Sequence, residues 1–330
     1  MIDLSKEYEF YSKPFKFSYS SINKLLFSPK LFYKDYILLD REERTDKHLI
    51  EGKLLHCLLF EPNNVSKKFK VVPGKLPSDS LRKVLHRLNE ISTEKHLLST
   101  DQAWQEKILK VLEDVNLYQS LKSDDAKLKK VQTDDNNVYW SFINNPIVDA
   151  IDEATLQRAK ERLEYLKEDE HVNFLYGNKP TEFELDELEI GIEKYLECDL
   201  EGYDFGLKGF IDHFIIDNEN KKVIITDLKT TGKSIADFAE TVDYYNYNLQ
   251  ATIYFALVYH NYKDQIENYD FEFKFTVIDT YNQVYTFSIS EETWSKWNEL
   301  FYETLQVVDY HYKNRVYNLP FQFIGNEIKL

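Results

Sequence analysis

The segment between residues 209 and 231 carries charged side chains where β-strands usually carry apolar ones. It reads GFIDHFIIDNENKKVIITDLKTT, in which Asp212 interrupts one apolar run and Asp227 and Lys229 end the next. Burial of a carboxylate or an ammonium group is costly unless an opposite charge or a metal ion compensates it. The spacing therefore predicts a hairpin that holds a group of charges together inside the fold.

The turn predicted at 217–220 decides which residues of this hairpin share a face. If these four residues form the whole loop, Ile216 faces Lys221 and Asp212 faces Ile225. Because side chains alternate along a strand, Asp212 then lies on the same face as Asp227 and Lys229. The two Asp backbones would be diagonal neighbours roughly 7–8 Å apart, which lets both carboxylates reach one divalent cation. Without a cation or a proton between them, the two anions would repel each other.

Such a carboxylate pair suits hydrolysis of a phosphodiester. Hard oxygen ligands favour Mg²⁺ or Mn²⁺, and a cation held in this way can lower the pKa of a bound water and stabilise charge on a phosphate. A lysine two residues beyond the second Asp can orient that water or neutralise developing negative charge. A simple salt bridge is the alternative for Asp227 and Lys229 alone, whereas Asp212 on the paired strand favours the catalytic interpretation.

Three more polar residues lie on predicted helices. His56 is the polar side chain of an otherwise apolar helical turn in GKLLHCLLFEP, and Gln250 and Tyr254 stand four residues apart on one helix face in NLQATIYFAL. The alternative for His56 is a hydrogen-bonded core histidine. The alternative for Gln250 is a partly buried residue that caps a backbone group.

The elements that must position these residues are helices and strands in alternation. Helices are predicted at 18–38, 48–60, 245–262 and 291–314, and the first of them is predicted to be capped by Ser20 or Ser21. Strands are predicted at 181–188, 203–216, 221–230, 269–279 and 284–290. The region at about 79–171 is predicted to be a charged helical insertion or lobe. Strands flanked by helices predict an α/β or α+β core.

Composition narrows the class of protein further. No apolar run approaches membrane-spanning length, and the polar, acidic N-terminus is unlike a signal peptide. Two cysteines, Cys57 and Cys198, cannot supply a disulfide framework or a four-thiolate iron–sulfur cluster, so a cytoplasmic location is expected. The net charge of −16 argues by itself against nucleic acid as a partner. Metal-binding carboxylates contribute to that sum, however, and a basic cleft can lie on an acidic protein; its predicted lysines are Lys24, Lys30, Lys34, Lys229 and Lys233.

Taken together, these residues resemble the PD-(D/E)xK nuclease superfamily, and within it the RecB-like and RecE-like branch of phage and bacterial exonucleases. The branch carries a helix histidine before a Leu-Leu-x-Glu-Pro segment, a strand G-x-x-D, a D-x-K-T segment and a helix Q-x-x-x-Y. They are matched here by His56 with Glu61 and Pro62, Gly209 to Asp212, Asp227 to Thr230, and Gln250 with Tyr254. The likeness spans roughly 18–62 and 180–300.

The resemblance implies a restriction-endonuclease-like core, with a central mixed sheet flanked by helices, at about 18–62 and 180–310 of a single domain spanning 1–330. It implies that His56, Asp212, Asp227 and the Leu228 carbonyl bind Mg²⁺ or Mn²⁺, and that Asp212, Asp227 and Lys229 are catalytic. Gln250 and Tyr254 would position the substrate strand or the lysine, and Glu182 would support the site from the preceding strand, with a solvent-facing residue as the alternative.

The implied activity is a metal-dependent DNA exonuclease that processes double-stranded ends for recombination or repair. A homo-oligomer and a single-strand annealing protein are the protein partners that the resemblance suggests. Two alternatives stay open: an endonuclease of the same fold, and a catalytically inactive DNA-binding or assembly protein.

Overall fold

The computed structural model describes residues 4–41, 47–92, 96–143, 149–169, 172 and 188–324. The chain forms two compact units, one of Met1–Glu43 with Leu166–Leu330 and the other of Arg44–Tyr165. The single domain and the bounds of the helical insertion stay predictions. Within the described ranges, no helix is both long enough and apolar enough to cross a bilayer.

Eight strands are described, in chain order β1 Lys16–Phe17, β2 Phe69–Val71, β3 Asp149–Ile151, β4 Leu188–Asp199, β5 Gly206–Asp217, β6 Lys222–Thr230, β7 Asp270–Ile278 and β8 Val284–Ser288. The described α-helices are α1 Leu4–Phe10, α2 Tyr19–Phe27, α3 Pro29–Phe32, α4 Lys47–Phe60, α5 Val65–Lys68, α6 Asp79–Ile91, α7 Gln102–Asp114, α8 Asp124–Val131, α9 Asp134–Ile143, α10 Glu153–Glu168, α11 Phe238–Tyr245, α12 Tyr247–Ile266 and α13 Glu291–Asn314.

A mixed six-stranded sheet forms the centre of the first unit. Strand β5 pairs antiparallel with β4 and with β6, β6 pairs parallel with β7, and β7 pairs antiparallel with β8, while the short β1 pairs parallel with the start of β5. This confirms the prediction of a central mixed sheet flanked by helices. The strand from Leu188 to Asp199 was not predicted, and the one predicted at 181–188 lies almost wholly outside the described residues.

Strand β5 has an opening in its hydrogen-bonding edge, and this opening positions the site. Because a strand has two such edges and β4 occupies one along the whole of β5, strands β1 and β6 must share the other. The ladder with β6 ends at the pair His213 and Thr226, and that with β1 covers only Gly206 and Leu207. Asp212 therefore lies where β6 separates from β5.

Helix α12 packs across β4, β5 and β6 and is buried along most of its length. Its apolar residues join an aromatic-rich core that includes Phe17, Phe205, Phe214 and Phe275. Gly191 on β4 leaves room for the Phe214 ring of β5, because a Cβ atom there would lie only 2.0 Å from that ring. The core therefore fixes the helix that carries Gln250 and Tyr254 against the strands that carry the acidic residues.

Helix α2 begins with a capping box rather than with the predicted Ser20 or Ser21 cap. The Ser18 side chain accepts a hydrogen bond from the Ser21 backbone N–H at 3.3 Å, and the Ser21 hydroxyl accepts one from the Ser18 N–H at 2.7 Å. Two backbone donors are satisfied in this way, which explains why the cap lies at Ser18.

The second unit is mostly helical. Helices α6 to α9 pack around buried Trp104 and Trp140, and β2 pairs parallel with β3. The Glu51 carboxylate of α4 contacts Arg158 at 3.1 Å and Arg162 at 3.4 Å.

Candidate active site

Two carboxylates meet across strands β4 and β5. Ile192 pairs with His213 and Lys194 pairs with Ile211, so the register places Glu193 opposite Asp212. A carboxylate oxygen of Glu193 lies within 4.8 Å of one of Asp212. Asp212 is buried and Glu193 is half-buried, so their negative charges are only partly screened by solvent.

The backbone of Glu193 is strained at this point of the strand. Its φ of 47° lies in the left-handed region, which a non-glycine residue adopts at a cost of about 1–2 kcal/mol. Strain of this kind persists only where the surrounding structure enforces it, and it is concentrated at functional sites. Strand alternation in the sequence does not identify Glu193, and its left-handed backbone in the structure is the signal that does.

The register of the β5–β6 hairpin differs from the predicted one. Asp217 pairs with Lys222 and Phe214 pairs with Ile225, so the loop is 218–221 and the predicted pairing of Asp212 with Ile225 was wrong by two residues. The loop shifts because Asp217 accepts a hydrogen bond from the Asn220 N–H at 2.9 Å while Lys221 adopts a φ of 51°. A shift of two residues preserves which side chains share a face.

The Asp212 carboxylate also bridges the opening between the strands. Its Oδ2 accepts a hydrogen bond from the backbone N–H of Leu228 at 3.0 Å. The side chain therefore satisfies a backbone donor just beyond the end of the β5–β6 ladder. This contact holds Asp212 next to the segment that carries Asp227 and Lys229.

Asp227 and Lys229 form a buried ion pair on β6. Lys229 Nζ lies 2.5 Å from Asp227 Oδ2, and the two side chains are 14 % and 1 % exposed. An ammonium so close offsets the charge of a carboxylate that would otherwise be costly to bury.

Gln250 on α12 links this ion pair to Tyr254. Its Oε1 accepts from Lys229 Nζ at 2.8 Å, and its Nε2 donates to Asp227 Oδ1 at 2.7 Å and to the Tyr254 hydroxyl at 2.9 Å. Lysine can only donate and a carboxylate can only accept, so the contacts fix the orientation of the amide. The helix spacing noted in the sequence thus places both side chains in one hydrogen-bonded chain.

Tyr254 remains a neutral phenol in this environment. Burial raises its pKa well above the ordinary value, and the nearby charges of Asp212, Asp227 and Glu193 raise it further, while the hydrogen bond from Gln250 acts in the opposite direction. All three carboxylates therefore influence one tyrosine. This agrees with their belonging to a single cluster.

The Tyr247 ring also contacts the Lys229 ammonium. Lys229 Nζ lies 4.4 Å from the centroid of this ring, a cation–π geometry that stabilises a partly desolvated ammonium. Carboxylate, amide and aromatic ring together hold the Lys229 side chain in one position.

The remaining predicted site residues are placed as follows. His56 lies on α4 in the second unit, where its ring packs against Phe60 at 4.6 Å between centroids. Leu228 lies between Asp227 and Lys229 on β6, and its carbonyl as a metal ligand stays a prediction. Glu182 lies outside the described residues.

Three of the five lysines predicted to line a basic cleft are engaged with carboxylates. Lys24 Nζ lies 2.5 Å from Asp35 and Lys34 Nζ lies 3.9 Å from Asp40, in addition to the contact of Lys229 with Asp227. Their charge is partly compensated, and the gathering of all five around one cleft stays a prediction.

Comparison with known proteins decides the family. A sequence model of the PD-(D/E)XK nuclease superfamily matches residues 16–317.

The chain belongs to the PD-(D/E)XK nuclease superfamily.

This confirms the resemblance seen in the sequence at the level of the superfamily. Nucleases of the PD-(D/E)XK superfamily hydrolyse nucleic acid with divalent metal ions, and the matched range contains Glu193, Asp212 and Asp227. A search of curated proteins finds no match. A solved structure from Eubacterium rectale, provisionally named an exonuclease, is similar at a TM-score of 0.48 and 12 % identity, over 98 % of this chain and 94 % of that one.

Proposed function

We propose that this PD-(D/E)XK nuclease is a Mg²⁺- or Mn²⁺-dependent exonuclease of the RecB-like and RecE-like branch, which degrades DNA from free double-stranded ends for recombination or repair. The observation that carries the proposal is the cluster at the opening beside β5. Glu193 and Asp212 lie together there, and the Leu228 N–H links Asp212 to the strand of the Asp227–Lys229 pair. The motif order in the sequence supports this branch.

The donor set fits a hard divalent cation. Glu193, Asp212 and Asp227 offer carboxylate oxygens, which Mg²⁺ and Mn²⁺ prefer, and a carboxylate oxygen of Glu193 lies within 4.8 Å of one of Asp212. Among the residues predicted from sequence, His56 and the Leu228 carbonyl complete the proposed ligand set, with the motif resemblance as their support. When bound, the cation supplies an activated water and compensates charge on the phosphate.

The chain's own side chains prepare the site for the phosphate. Lys229 presents an ammonium that is fixed by Asp227, Gln250 and Tyr247, so it can neutralise developing negative charge without reorganisation. The amide of Gln250 holds the side chains of Lys229 and Asp227 in position relative to each other, and the neutral Tyr254 hydroxyl fixes the orientation of the amide. Gln250 and Tyr254 are thus proposed as positioning residues.

Digestion of linear and covalently closed circular duplex DNA tests the proposal. With Mg²⁺ the wild type should degrade the linear form and spare the circle, and EDTA should stop the reaction. Lys229→Met should abolish hydrolysis, whereas Lys296→Met, which removes a lysine from an exposed helical ion pair, should leave it unchanged.

The same assay separates the alternatives. Cleavage of both DNA forms would support the endonuclease, and binding without cleavage of either would support the inactive DNA-binding protein. A cytoplasmic location, a homo-oligomer and a single-strand annealing partner stay predictions that this assay does not address.

A further inference from the structure

A series of tyrosine rings leads from the proposed catalytic lysine to the protein surface. The Tyr247 ring, 4.4 Å from Lys229 Nζ, stacks on Tyr245 at 5.6 Å between centroids and an interplanar angle of 23°. Tyr245 in turn contacts Tyr244 edge-to-face at 4.8 Å. Tyr244 is 77 % exposed and Tyr245 is 49 % exposed, so the series ends in solvent.

The backbone that presents these rings is anchored to α2. The Tyr245 carbonyl accepts hydrogen bonds from the Tyr19 hydroxyl and from Asn23 Nδ2, and Asn246 Nδ2 donates to Asn23 Oδ1 at 2.7 Å. Asn246 itself adopts the left-handed conformation, with φ 54° and ψ 46°, between helices α11 and α12. The junction is therefore held by side chains from a distant part of the chain, while the rings themselves remain accessible.

The charges near these tyrosines indicate which part of a nucleic acid the rings can bind. Helix α11 carries Glu240 and Asp243 close to the tyrosines, and these carboxylates repel phosphates. Aromatic rings, in contrast, stack on the faces of unpaired bases without regard to sequence. The surface therefore favours a base whose phosphate lies elsewhere.

We propose that Tyr244 and Tyr245 form a stacking subsite for an unpaired base of the DNA strand whose phosphate is bound at the carboxylate cluster. This proposal rests on the proposed nuclease function. It specifies that the substrate strand is already separated from its complement at that position. Tyr247 connects the subsite to Lys229, so the base held by the tyrosines belongs to a nucleotide close to the bond that is cleaved.

Fluorescence of 2-aminopurine tests the subsite directly, because stacking on an aromatic ring quenches it. The probe is a duplex with a short single-stranded end that carries one 2-aminopurine, bound to full-length protein with Ca²⁺ in place of Mg²⁺. The wild type should quench the fluorescence, and the double substitution Tyr244→Leu with Tyr245→Leu should abolish the quenching. The same double variant should bind this DNA about 5- to 150-fold more weakly, as expected for the loss of one stacked base.

Two matched variants separate stacking from a structural effect. Tyr244→Phe with Tyr245→Phe keeps both rings and should restore quenching. Tyr302→Leu removes a tyrosine that is 63 % exposed on α13 and should behave as the wild type. Tyr244→Leu alone alters a highly exposed side chain, so its partial loss of quenching can be measured in a protein whose folding is intact.

The outcomes for the subsite and for the nuclease are distinct. If the wild type degrades linear DNA in Mg²⁺ but the double leucine variant quenches and binds normally, the subsite is wrong and the nuclease stands. If no DNA is degraded but quenching depends on the tyrosines, the nuclease function fails, and only the stacking of a base on Tyr244 and Tyr245 stands. A double variant with wild-type quenching and an altered oligomeric state would instead make this surface an interface between copies of the chain.

Discussion

Replacement of Lys229 by methionine would leave the buried Asp227 carboxylate without the ammonium that contacts it. The Asp227 side chain is 1 % exposed, so bulk solvent compensates its charge poorly. Removing one partner of a buried ion pair costs about 3–5 kcal/mol. The Gln250 amide still donates to Asp227 Oδ1, which places the expected loss in the free energy of unfolding at the lower end, about 3 kcal/mol.

Urea unfolding in EDTA measures this loss, with Lys296→Met as the control. The Lys296–Glu292 pair is exposed and four residues apart on α13, so its loss should change stability by no more than about 0.5 kcal/mol. Mg²⁺ should stabilise Lys229→Met more than it stabilises the wild type, because the cation supplies the missing positive charge. Equal stability of the two lysine variants in EDTA would refute the ion pair as the compensation for Asp227.

Three other changes test the packing and titration of the same sheet. Burial lowers the pKa of His213 to about 4, and the charge of Asp212 partly opposes this effect. Between about pH 4 and about pH 6.5 the unfolded chain binds a proton that the folded chain does not bind. The free energy of unfolding should therefore fall by up to about 3 kcal/mol as the pH drops from about 6.5 to about 4. Urea unfolding of the wild type and His213→Phe checks this, and an equal pH dependence in both would contradict it. Glu193→Gly should abolish DNA cleavage without lowering the free energy of unfolding. The backbone strain that it relieves, about 1–2 kcal/mol, offsets the backbone entropy cost of glycine. A variant that is active, or that is strongly destabilised, would argue against the strained carboxylate. Gly191→Ala should lower the free energy of unfolding by about 1–3 kcal/mol through its clash with Phe214. Urea unfolding measures this against Gly232→Ala, whose added Cβ meets no atom within 4 Å. Equal stability of the two variants would contradict the packing of Phe214 on Gly191.

Much of the acidic cluster could be anticipated from residue type and strand alternation. Asp212, Asp227 and Lys229 were expected on one face of a hairpin, and Gln250 and Tyr254 on one helix face. The structure joins Asp227, Lys229, Gln250 and Tyr254 in one network, and Asp212 adjoins it through the Leu228 N–H. The register was wrong by two residues, yet the grouping was unaffected because alternation has a period of two.

Glu193 could not be found in this way, for a physical reason. The strand Leu188–Asp199 passes through a left-handed residue, which interrupts the alternation of buried and exposed side chains. That conformation is normally signalled by glycine or asparagine, and a glutamate there gives no such signal. Its position opposite Asp212 depends on the pairing of two strands, which a single sequence does not specify.

The way in which the charges of the carboxylates are balanced could also not be predicted from the sequence. The sequence predicted repulsion between Asp212 and Asp227 unless a cation or a proton intervenes. In the fold, Lys229 and Gln250 contact Asp227, while Asp212 accepts the Leu228 N–H. The protein's own groups thus partly compensate both carboxylates, through side-chain conformations that spacing alone does not determine.

Calorimetric titration of Mn²⁺ into the protein tests the central claim, that the carboxylates beside the opening of β5 bind the catalytic cation. Asp212→Asn and Glu193→Gln should each weaken Mn²⁺ binding by at least about tenfold, while Glu197→Gln, an exposed substitution on the same strand as Glu193, should bind as the wild type does. Undiminished Mn²⁺ binding by both Asp212→Asn and Glu193→Gln would contradict the proposed site.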